Sequence, residues 1–402
     1  MTPSAAVSGP PQKSHSPSAR LAAVVCAGFC AFLTLFAPQP LLPLLAAQFH
    51  ASAAAVSLVV TASTVAVAIA APLAGAIGDR LGRKRVIVPS AFLLALPTAL
   101  AATSQSLGQL VFWRFWQGIF TPGIFVITIA YINEEWESGT GAAVAMYVTG
   151  TVLGGFCGRA LAGLVAGYAS WRWSFLTLGI LNALGGMAIW AWMPAGRRFV
   201  RARRGSSTPR AMLRHLRNPQ LLATYAVAFC VMFTLLATFT YINFYLAAPP
   251  FRLSTQALSL LFVVYLVGAV ITPVAGRSID GLGHRFAILL AFSGGILGIL
   301  LTLGRRVPIV MLGLALCCTG VFIANSAGAS YVGMVAREAR AAAVGLYTTF
   351  YYTGGSFGSA APGVIWSRGG WPACVALIAC VQVLTIVLAL AFWRPARSAA
   401  AG

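Results

Sequence analysis

Long apolar runs separated by short polar turns fill most of this sequence. Twelve runs are long enough to cross a bilayer, because the apolar core of a membrane needs about 20 residues of helix. The first extends from about Arg20 to Phe49. The pattern predicts that spans 2 to 12 begin near Val56, Val86, Leu110, Ala142, Trp173, Leu221, Thr255, Phe286, Pro308, Ala341 and Trp371. We therefore predict an all-α polytopic membrane protein with twelve transmembrane helices, six in each half.

Composition supports this prediction and excludes several other classes of protein. The 402 residues are 59% hydrophobic and only 8% charged, which leaves too little polar surface to cover a soluble globule. No cysteine or histidine spacing typical of a metal site is present, so we expect neither a metal nor another cofactor. The sequence also contains no phosphate-binding loop and no catalytic constellation, which argues against an ATP-driven pump and against an enzyme.

The cations predict how the chain is oriented. A net charge of +21 would favour nucleic-acid binding in a soluble protein, but these cations lie in short loops without a nucleic-acid-reading motif. With the N-terminus inside, twenty Lys and Arg residues fall in cytoplasmic segments and five in outer loops. This bias predicts a multi-pass protein of the cell (inner) membrane with both termini in the cytoplasm.

Changes in composition predict five segments. Residues 1–19 are rich in Pro, Ser and Ala and are expected to form a disordered cytoplasmic tail. Residues 20–194 and 221–393 are expected to form two six-helix bundles. The basic segment 195–220 is predicted to be a cytoplasmic linker held against anionic lipid, and residues 394–402 a second tail.

Two motifs repeat between the halves. PLAGAIGDRLGRKRV, residues 72–86, recurs as PVAGRSIDGLGHR, residues 273–285, at an offset of 201. MYVTGTVLGGFCGRALAG from Met146 recurs as LYTTFYYTGGSFGSAAPG from Leu346 at an offset of 200. Two unrelated motifs at nearly the same spacing indicate that the chain contains two copies of one design. Close helix packing is expected at the glycines of the first copy of the second motif, Gly150, Gly154, Gly155 and Gly158.

The first motif, GAIGDRLGRKR, resembles the loop between helices two and three of the major facilitator superfamily of transporters. Arg114, Gln117 and Gly118 resemble the fourth-helix RxxQG signature of that superfamily. GTVLGGFCGR, residues 150–159, resembles the fifth-helix signature GxxxGPxxGG of its drug:proton antiporter branch, with Gly155 in place of Pro and Arg159 in place of the last Gly.

This resemblance implies two bundles that rock around a central cavity and move a small solute across the bilayer. It implies a monomer that exports a drug-like or metabolite compound against protons, the activity behind multidrug resistance. The residues that the resemblance assigns to gating and conformational change are Gly75, Asp79, Arg80, Gly82, Arg83, Gly276, Asp280 and Gly283.

Two cations lie within the predicted spans, Arg114 on span 4 and Arg159 on span 5. Each costs about 2.5 to 3.5 kcal/mol at mid-bilayer, so we expect them, with Gln117, to serve coupling or substrate binding unless they reach the outer headgroups. Arg159 aligns with Ser359 in the repeat, so the scaffold does not require it. An electropositive cavity argues against a cationic drug and leaves open an importer or exchanger of a small organic anion with the same fold.

The six acidic residues fall in or beside predicted cytoplasmic loops: Asp79, Glu134, Glu135, Glu137, Asp280 and Glu338. If protons drive transport, the candidate carriers are Asp79, Glu134 and Glu135. Asp79 and Asp280 have an alternative role, which is to lock the inner ends of the two halves in the outward-open state.

Polar and aromatic side chains on apolar spans are candidates for the cavity wall. A Tyr hydroxyl needs a hydrogen-bond partner in the bilayer, and a watery cavity supplies one. The predicted cavity-lining residues are Gln39, Tyr241, Tyr245, Tyr347 and Tyr351. Tyr245 is also a candidate for the aromatic belt at the membrane interface.

Overall fold

The computed structural model describes residues 17–136, 138–194, 196, 208–267, 270–271, 279 and 281–393. Every regular element in these residues is a helix. Ten of the described helices are long and apolar enough to cross a membrane. Span 8 continues into residues outside the described part, and span 11 is rich in Tyr, Thr, Ser and Gly and therefore less apolar.

Prolines divide two spans of the first half. Span 1 is divided at the 3₁₀ turn Gln39–Leu41, which Pro38 precedes and which contains Pro40, and Pro122 starts a new helix within span 4, because proline cannot donate a backbone hydrogen bond. Span 1 already includes residues 17–19, which the sequence assigned to the tail. The helices of spans 1 to 6 are Pro17–Leu35 with Leu42–Gln48, Ala53–Leu81, Arg83–Leu100, Leu107–Phe120 with Pro122–Glu135, Thr140–Tyr168 and Trp171–Trp192.

The second half repeats this order after a short helix in the predicted linker, Thr208–Leu216. Gly370 has a φ of +58°, which ends span 11 and lets span 12 begin at Trp371, as the sequence predicted. The helices of spans 7 to 12 are Pro219–Ala247, Thr255–Leu260 with the 3₁₀ turn Leu261–Tyr265, His284–Leu301, Val307–Val335, Arg340–Ala360 and Pro362–Phe392, the last of which carries the end of span 11 as well as span 12.

Helix packing is related by pseudo-symmetry between the halves. Span 1 packs on span 5 as span 7 packs on span 11, and span 3 packs on span 6 as span 9 packs on span 12. The two halves meet where span 2 contacts span 11 and where span 5 contacts span 8. The predicted fold of two pseudo-symmetric six-helix bundles is therefore confirmed.

Glycines let spans 1 and 5 touch at the backbone. A Cβ added to Gly150, Gly154 or Gly158 would lie 2.4, 2.2 or 1.8 Å from a carbonyl oxygen of span 1. Spans 7 and 11 have the same contact, since a Cβ on Gly354 would lie 2.0 Å from a carbonyl oxygen. Gly155 differs from the expectation, because its nearest neighbour is the guanidinium of its own helix and not span 1.

The described hydroxyl contacts between the halves lie toward one membrane face. The described chain begins at Pro17 and ends at Trp393 on the same side of the bundle, beside the ends of spans 4 and 10; we name this side the terminal face and the opposite one the distal face. In the distal halves of spans 2 and 11, hydroxyl pairs join Thr61 to Ser359 at 2.8 Å and Thr64 to Ser356 at 3.0 Å. Gly75, near the terminal face, has no neighbouring atom within 4 Å of an added Cβ. The described hydroxyl pairs between spans 2 and 11 thus lie on the distal side.

Candidate functional site

Arg159 lies buried between the two halves, where span 5 faces span 8. The residue is only 1% exposed, because the neighbouring helices cover its side chain. The guanidinium carbon lies 4.4 Å from the ring centroid of Tyr265, 4.9 Å from that of Phe262 and 5.1 Å from that of Phe36. A cation over the face of an aromatic ring is attracted by the quadrupole of the ring, so these three rings form an aromatic cage that stabilises the charge.

Hydrogen bonds satisfy only part of Arg159. Its Nε donates to Oε1 of Gln39 at 2.8 Å and its Nη1 donates to the carbonyl oxygen of Gly155 at 2.6 Å. The buried Nη2 has no hydrogen-bond partner, and neither has the buried hydroxyl of Tyr265. A buried donor without a partner is costly, so the cage retains hydrogen-bonding capacity for a further acceptor.

No described carboxylate neutralises Arg159. The acidic residues in the described part of the chain, Asp79, Glu134, Glu135 and Glu338, lie at the terminal face near the ends of spans 2, 4 and 10. The space beside Arg159 is therefore electropositive, and a carboxylate, phosphate or sulfonate would complement its guanidinium.

Gln39 connects Arg159 to the second half. The 3₁₀ turn that its flanking prolines produce holds Gln39 in the interface, where it is fully buried. While Oε1 accepts from Arg159, Nε2 donates to the hydroxyl of Thr240 on span 7 at 3.4 Å. Gln39 and Thr240 are 201 residues apart, which is the repeat offset, so the two are equivalent positions that meet on the pseudo-two-fold axis.

The interface between spans 2 and 11 is the pseudo-symmetric equivalent of the interface between spans 5 and 8. It contains hydroxyl groups at the positions that a cation and aromatic rings occupy in the cage. Ser359, which aligns with Arg159, pairs with Thr61, and Ser356 pairs with Thr64. The hydroxyl of Tyr241 donates to the carbonyl oxygen of Ser359 at 2.9 Å. Tyr241 is therefore buried between spans 7 and 11, in contact with the interface and not with an open cavity.

The repeat could have identified the two rings on span 8, which sequence reasoning missed. The repeat offset of 201 places Thr61 and Thr64 of span 2 at positions equivalent to Phe262 and Tyr265 of span 8. Phe262 and Tyr265 face Arg159 of span 5, just as the two threonines face the serines of span 11. Phe262 and Tyr265 lie outside the two repeated motifs, and in the sequence they resemble ordinary apolar residues of a membrane span.

Arg114, the other buried cation, is satisfied within the first half. Its Nε donates to the carbonyl oxygen of Val59 at 3.0 Å and its Nη1 to that of Thr34 at 2.9 Å. Further bonds reach the carbonyl oxygen of Leu35 and Oε1 of Gln117. Because these partners belong to spans 1, 2 and 4, Arg114 holds three helices together, and this geometry favours a structural role over contact with substrate.

The predicted gate and proton candidates gather at the terminal face. Arg83 binds Asp79 at 2.7 Å and donates through Nε to Glu134 at 3.0 and 3.1 Å. Arg20 donates to the carbonyl oxygen of Glu135 at 2.8 Å. All of these residues belong to the first half, so the described ion pairs of Asp79 do not lock the two halves in this conformation.

The turns after spans 2 and 8 require glycine. Gly82 has a φ of +93° and Gly283 a φ of +81°, values that a side chain with a Cβ rarely adopts. Arg80 is exposed beside the first turn. Gly276 and Asp280 lie outside the described residues.

The remaining tyrosine candidates separate into two groups. The hydroxyl of Tyr347 donates to Asn325 Oδ1 at 3.1 Å, and its ring stacks on that of Tyr351 at 6.3 Å between the centroids. Tyr351 is partly exposed near the middle of span 11 and remains a predicted cavity-lining residue. Tyr245 stacks on Trp371 at the distal end of span 12.

Comparisons with known proteins agree with the architecture. The family model described as Major Facilitator Superfamily matches residues 24–332 and 254–401. The chain is 29% identical to Uncharacterized MFS-type transporter YybF of Bacillus subtilis (strain 168), over 92% of this chain and 91% of that protein. It is 28% identical to Inner membrane transport protein YnfM of Escherichia coli (strain K12), over 91% of this chain and 88% of that protein.

Two solved structures share the fold at low sequence identity. A mutant of the nucleoside transporter NupG superposes with a TM-score of 0.76 at 16% identity, covering 93% of this chain and 100% of that one. The human organic anion transporter MFSD10 (TETRAN) superposes with a TM-score of 0.71 at 19% identity, with the same coverage of 93% and 100%.

Proposed function

The chain belongs to the Major Facilitator Superfamily, and we propose that it is a secondary active transporter of the inner membrane that exports a small solute in exchange for protons. The observation that carries this proposal is the incompletely satisfied Arg159, which is buried where span 5 of the first half meets span 8 of the second. A polar site at such an interface becomes accessible from each side of the membrane in turn when the halves rock.

Alternating access needs distal contacts that can open. The distal contacts between the halves include hydroxyl pairs such as Thr61 with Ser359 and the bridge from Gln39 to Thr240, and spans 5 and 8 pack closely beside them at Gly163. Each neutral hydrogen bond contributes only about 0.5 to 1.5 kcal/mol, since water can replace the lost partner. Breaking these hydrogen bonds therefore adds little to the cost of opening the distal face, and opening would expose the cage around Arg159.

The substrate that suits this cage is a drug-like or metabolite compound with an anionic or strongly hydrogen-bond-accepting group. The guanidinium offers Nη2 to that group, and the rings of Phe36 and Phe262 offer apolar contact to the rest of the molecule. A cationic compound would be repelled, because the nearest described carboxylates lie at the terminal face.

Glu134 is the proposed proton carrier and Asp79 the proposed gate. Arg83 holds both carboxylates at once, so protonation of Glu134 would release Glu134 from Arg83 and leave Arg83 paired with Asp79 alone. Glu134 is 30% exposed and accessible to water from the terminal face, which the cation bias predicts to be cytoplasmic. Proton binding is thereby linked to the conformation of the loop between spans 2 and 3.

A second candidate is exchange or import of a small organic anion. The buried, unpartnered Nη2 of Arg159 favours it. An inside-negative potential opposes entry of a monovalent anion by about 2.3 kcal/mol per 100 mV, so one-for-one exchange is the form that needs no coupling ion.

Counterflow in proteoliposomes tests the proposal. Liposomes that contain the purified monomer and an unlabelled solute are diluted into the labelled form of the same solute, over a panel of anionic, neutral and cationic compounds. Transient accumulation of anionic or hydrogen-bond-accepting compounds would support the proposal. Counterflow restricted to permanently cationic compounds would contradict it.

A further inference from the structure

A basic cleft at the terminal face lies far from the Arg159 cage. It has a volume of about 590 Å³ and separates the linker helix Thr208–Leu216 from the loop that joins spans 10 and 11. Its charged lining consists of Arg214, Arg217, Arg337 and Glu338. With three cations and one carboxylate, the cleft is electropositive.

The single carboxylate does not close the cleft. Glu338 pairs with Arg214 at 2.6 Å, but the two side chains are 78% and 69% exposed. Ion pairs this exposed are weak and are readily exchanged for a stronger anionic partner. Arg217 and Arg337 are exposed on either side of the pair.

His215 adds a buried polar atom to the same cleft. The residue is only 8% exposed, and its Nε2 is buried without a hydrogen-bond partner. Such a group is stabilised when a ligand atom or a bound water completes its hydrogen bond. His215 is one of the residues that line the cleft.

The start of span 7 also faces the cleft. Asn218 caps this helix by accepting from the backbone N–H groups of Gln220 and Leu221 at 3.0 and 3.4 Å. The N-terminal end of a 29-residue helix carries partial positive charge and favours an anion nearby. Leu221 and Val335 provide an apolar wall next to these polar groups.

We propose that this cleft binds a phosphate ester. Arg217 and Arg337 pair with its oxygens, His215 Nε2 completes the set of polar contacts, and the apolar wall contacts the carbon atoms that the phosphate esterifies. The ligand joins the linker helix to the loop between spans 10 and 11 and so fixes the linker on the second half. The phosphate ester is either the headgroup of an anionic phospholipid or a soluble phosphate compound. This inference does not depend on what the Arg159 cage transports.

Thermal unfolding of the full-length protein in neutral detergent tests the proposal. One arm titrates phosphatidylglycerol into the micelles, a second titrates phosphatidylcholine, and a third titrates glycerol 3-phosphate. Saturable stabilisation by phosphatidylglycerol alone would identify the lipid headgroup, and saturable stabilisation by glycerol 3-phosphate would identify a soluble ligand.

Matched variants locate the binding. Arg217→Gln combined with Arg337→Gln is expected to weaken the apparent affinity about tenfold or more, because each cation provides a charge-assisted contact. Arg305→Gln combined with Arg306→Gln removes the same charge from an exposed loop between spans 9 and 10 and is expected to leave the affinity unchanged. His215→Gln, which keeps a donor and an acceptor, is expected to lie between the two.

Three results would overturn the proposal. One is the absence of saturable stabilisation by either phosphate ester. The second is equal affinity of the wild type and the Arg217→Gln, Arg337→Gln variant. The third is equal loss in that variant and in the Arg305→Gln, Arg306→Gln control, which would show a general effect of net charge.

Discussion

Replacing Arg159 with glutamine removes the cation from the aromatic cage while keeping a polar, hydrogen-bonding side chain that is shorter. The variant loses the guanidinium contact with Tyr265 at 4.4 Å and the bond from Nε to Gln39 at 2.8 Å. Loss of a desolvated cation–π contact costs about 2 kcal/mol, but the variant also no longer buries a charge without a counter-ion. These terms oppose each other, so we expect the Arg159→Gln protein to fold and to reach normal levels in the membrane.

Substrate affinity is expected to change much more than stability. A hydrogen bond to a charged group is worth about 1.5 to 3 kcal/mol, and each 1.4 kcal/mol corresponds to a factor of ten. Arg159→Gln should therefore raise the KM for an anionic or hydrogen-bond-accepting substrate about 10- to 150-fold. Arg159→Lys keeps the charge but not the planar group that stacks on the rings, so its KM should lie between those of the wild type and Arg159→Gln.

Initial rates of counterflow over a range of substrate concentrations measure this effect, and Arg114→Gln is the matched control. Arg114 is equally buried, but it donates hydrogen bonds to carbonyl oxygens of spans 1 and 2. Removing the guanidinium costs about 1 to 3 kcal/mol for each of these acceptors that is left unpaired. That variant should lower the amount of folded protein and not the affinity of the part that folds. An unchanged KM in Arg159→Gln, at normal expression, would refute the assignment of Arg159 to the substrate site.

Further variants test the packing and the two gates. Gly154→Ala places a Cβ 2.2 Å from a carbonyl oxygen and should destabilise the protein by about 1 to 3 kcal/mol in thermal unfolding, whereas Gly155→Ala places its Cβ 3.3 Å from Nη1 of Arg159 and should destabilise it less; equal melting of the two variants would contradict this. Thr61→Cys with Ser359→Cys, in a chain without native cysteines, should cross-link on oxidation and stop transport until a reductant is added; continued transport would show that the distal face need not open. Asp79→Asn should slow transport without changing its pH dependence, as expected of a gate, and an altered pH profile would make Asp79 a proton carrier.

The pattern of apolar runs was sufficient to predict the architecture. Each span had to be a helix, because a helix satisfies its own backbone in the bilayer, and the two repeated motifs placed the halves in register. The start of span 12 at Trp371 was correct because Gly370 and the apolar run after it marked the turn.

The site was predicted less completely, because burial and partners depend on how the halves pack. Arg114 and Arg159 were equivalent candidates in the sequence, yet carbonyl oxygens surround one and aromatic rings surround the other. Periodicity placed Tyr245 on the same face as Tyr241, but the sequence does not show that its ring would stack on span 12. Which face is closed is a property of the conformation, and no local pattern of residues encodes it.

Uptake into everted membrane vesicles, with and without an imposed proton gradient, tests proton-coupled export most directly. Everted vesicles convert export into accumulation, so a solute that gave counterflow should accumulate when the vesicle interior is acidified. Accumulation that collapses with a protonophore, and that is lost in Arg159→Gln at the same substrate concentration, is the result that proton-coupled export through the cage predicts. Exchange of an organic anion that is independent of the gradient would contradict it.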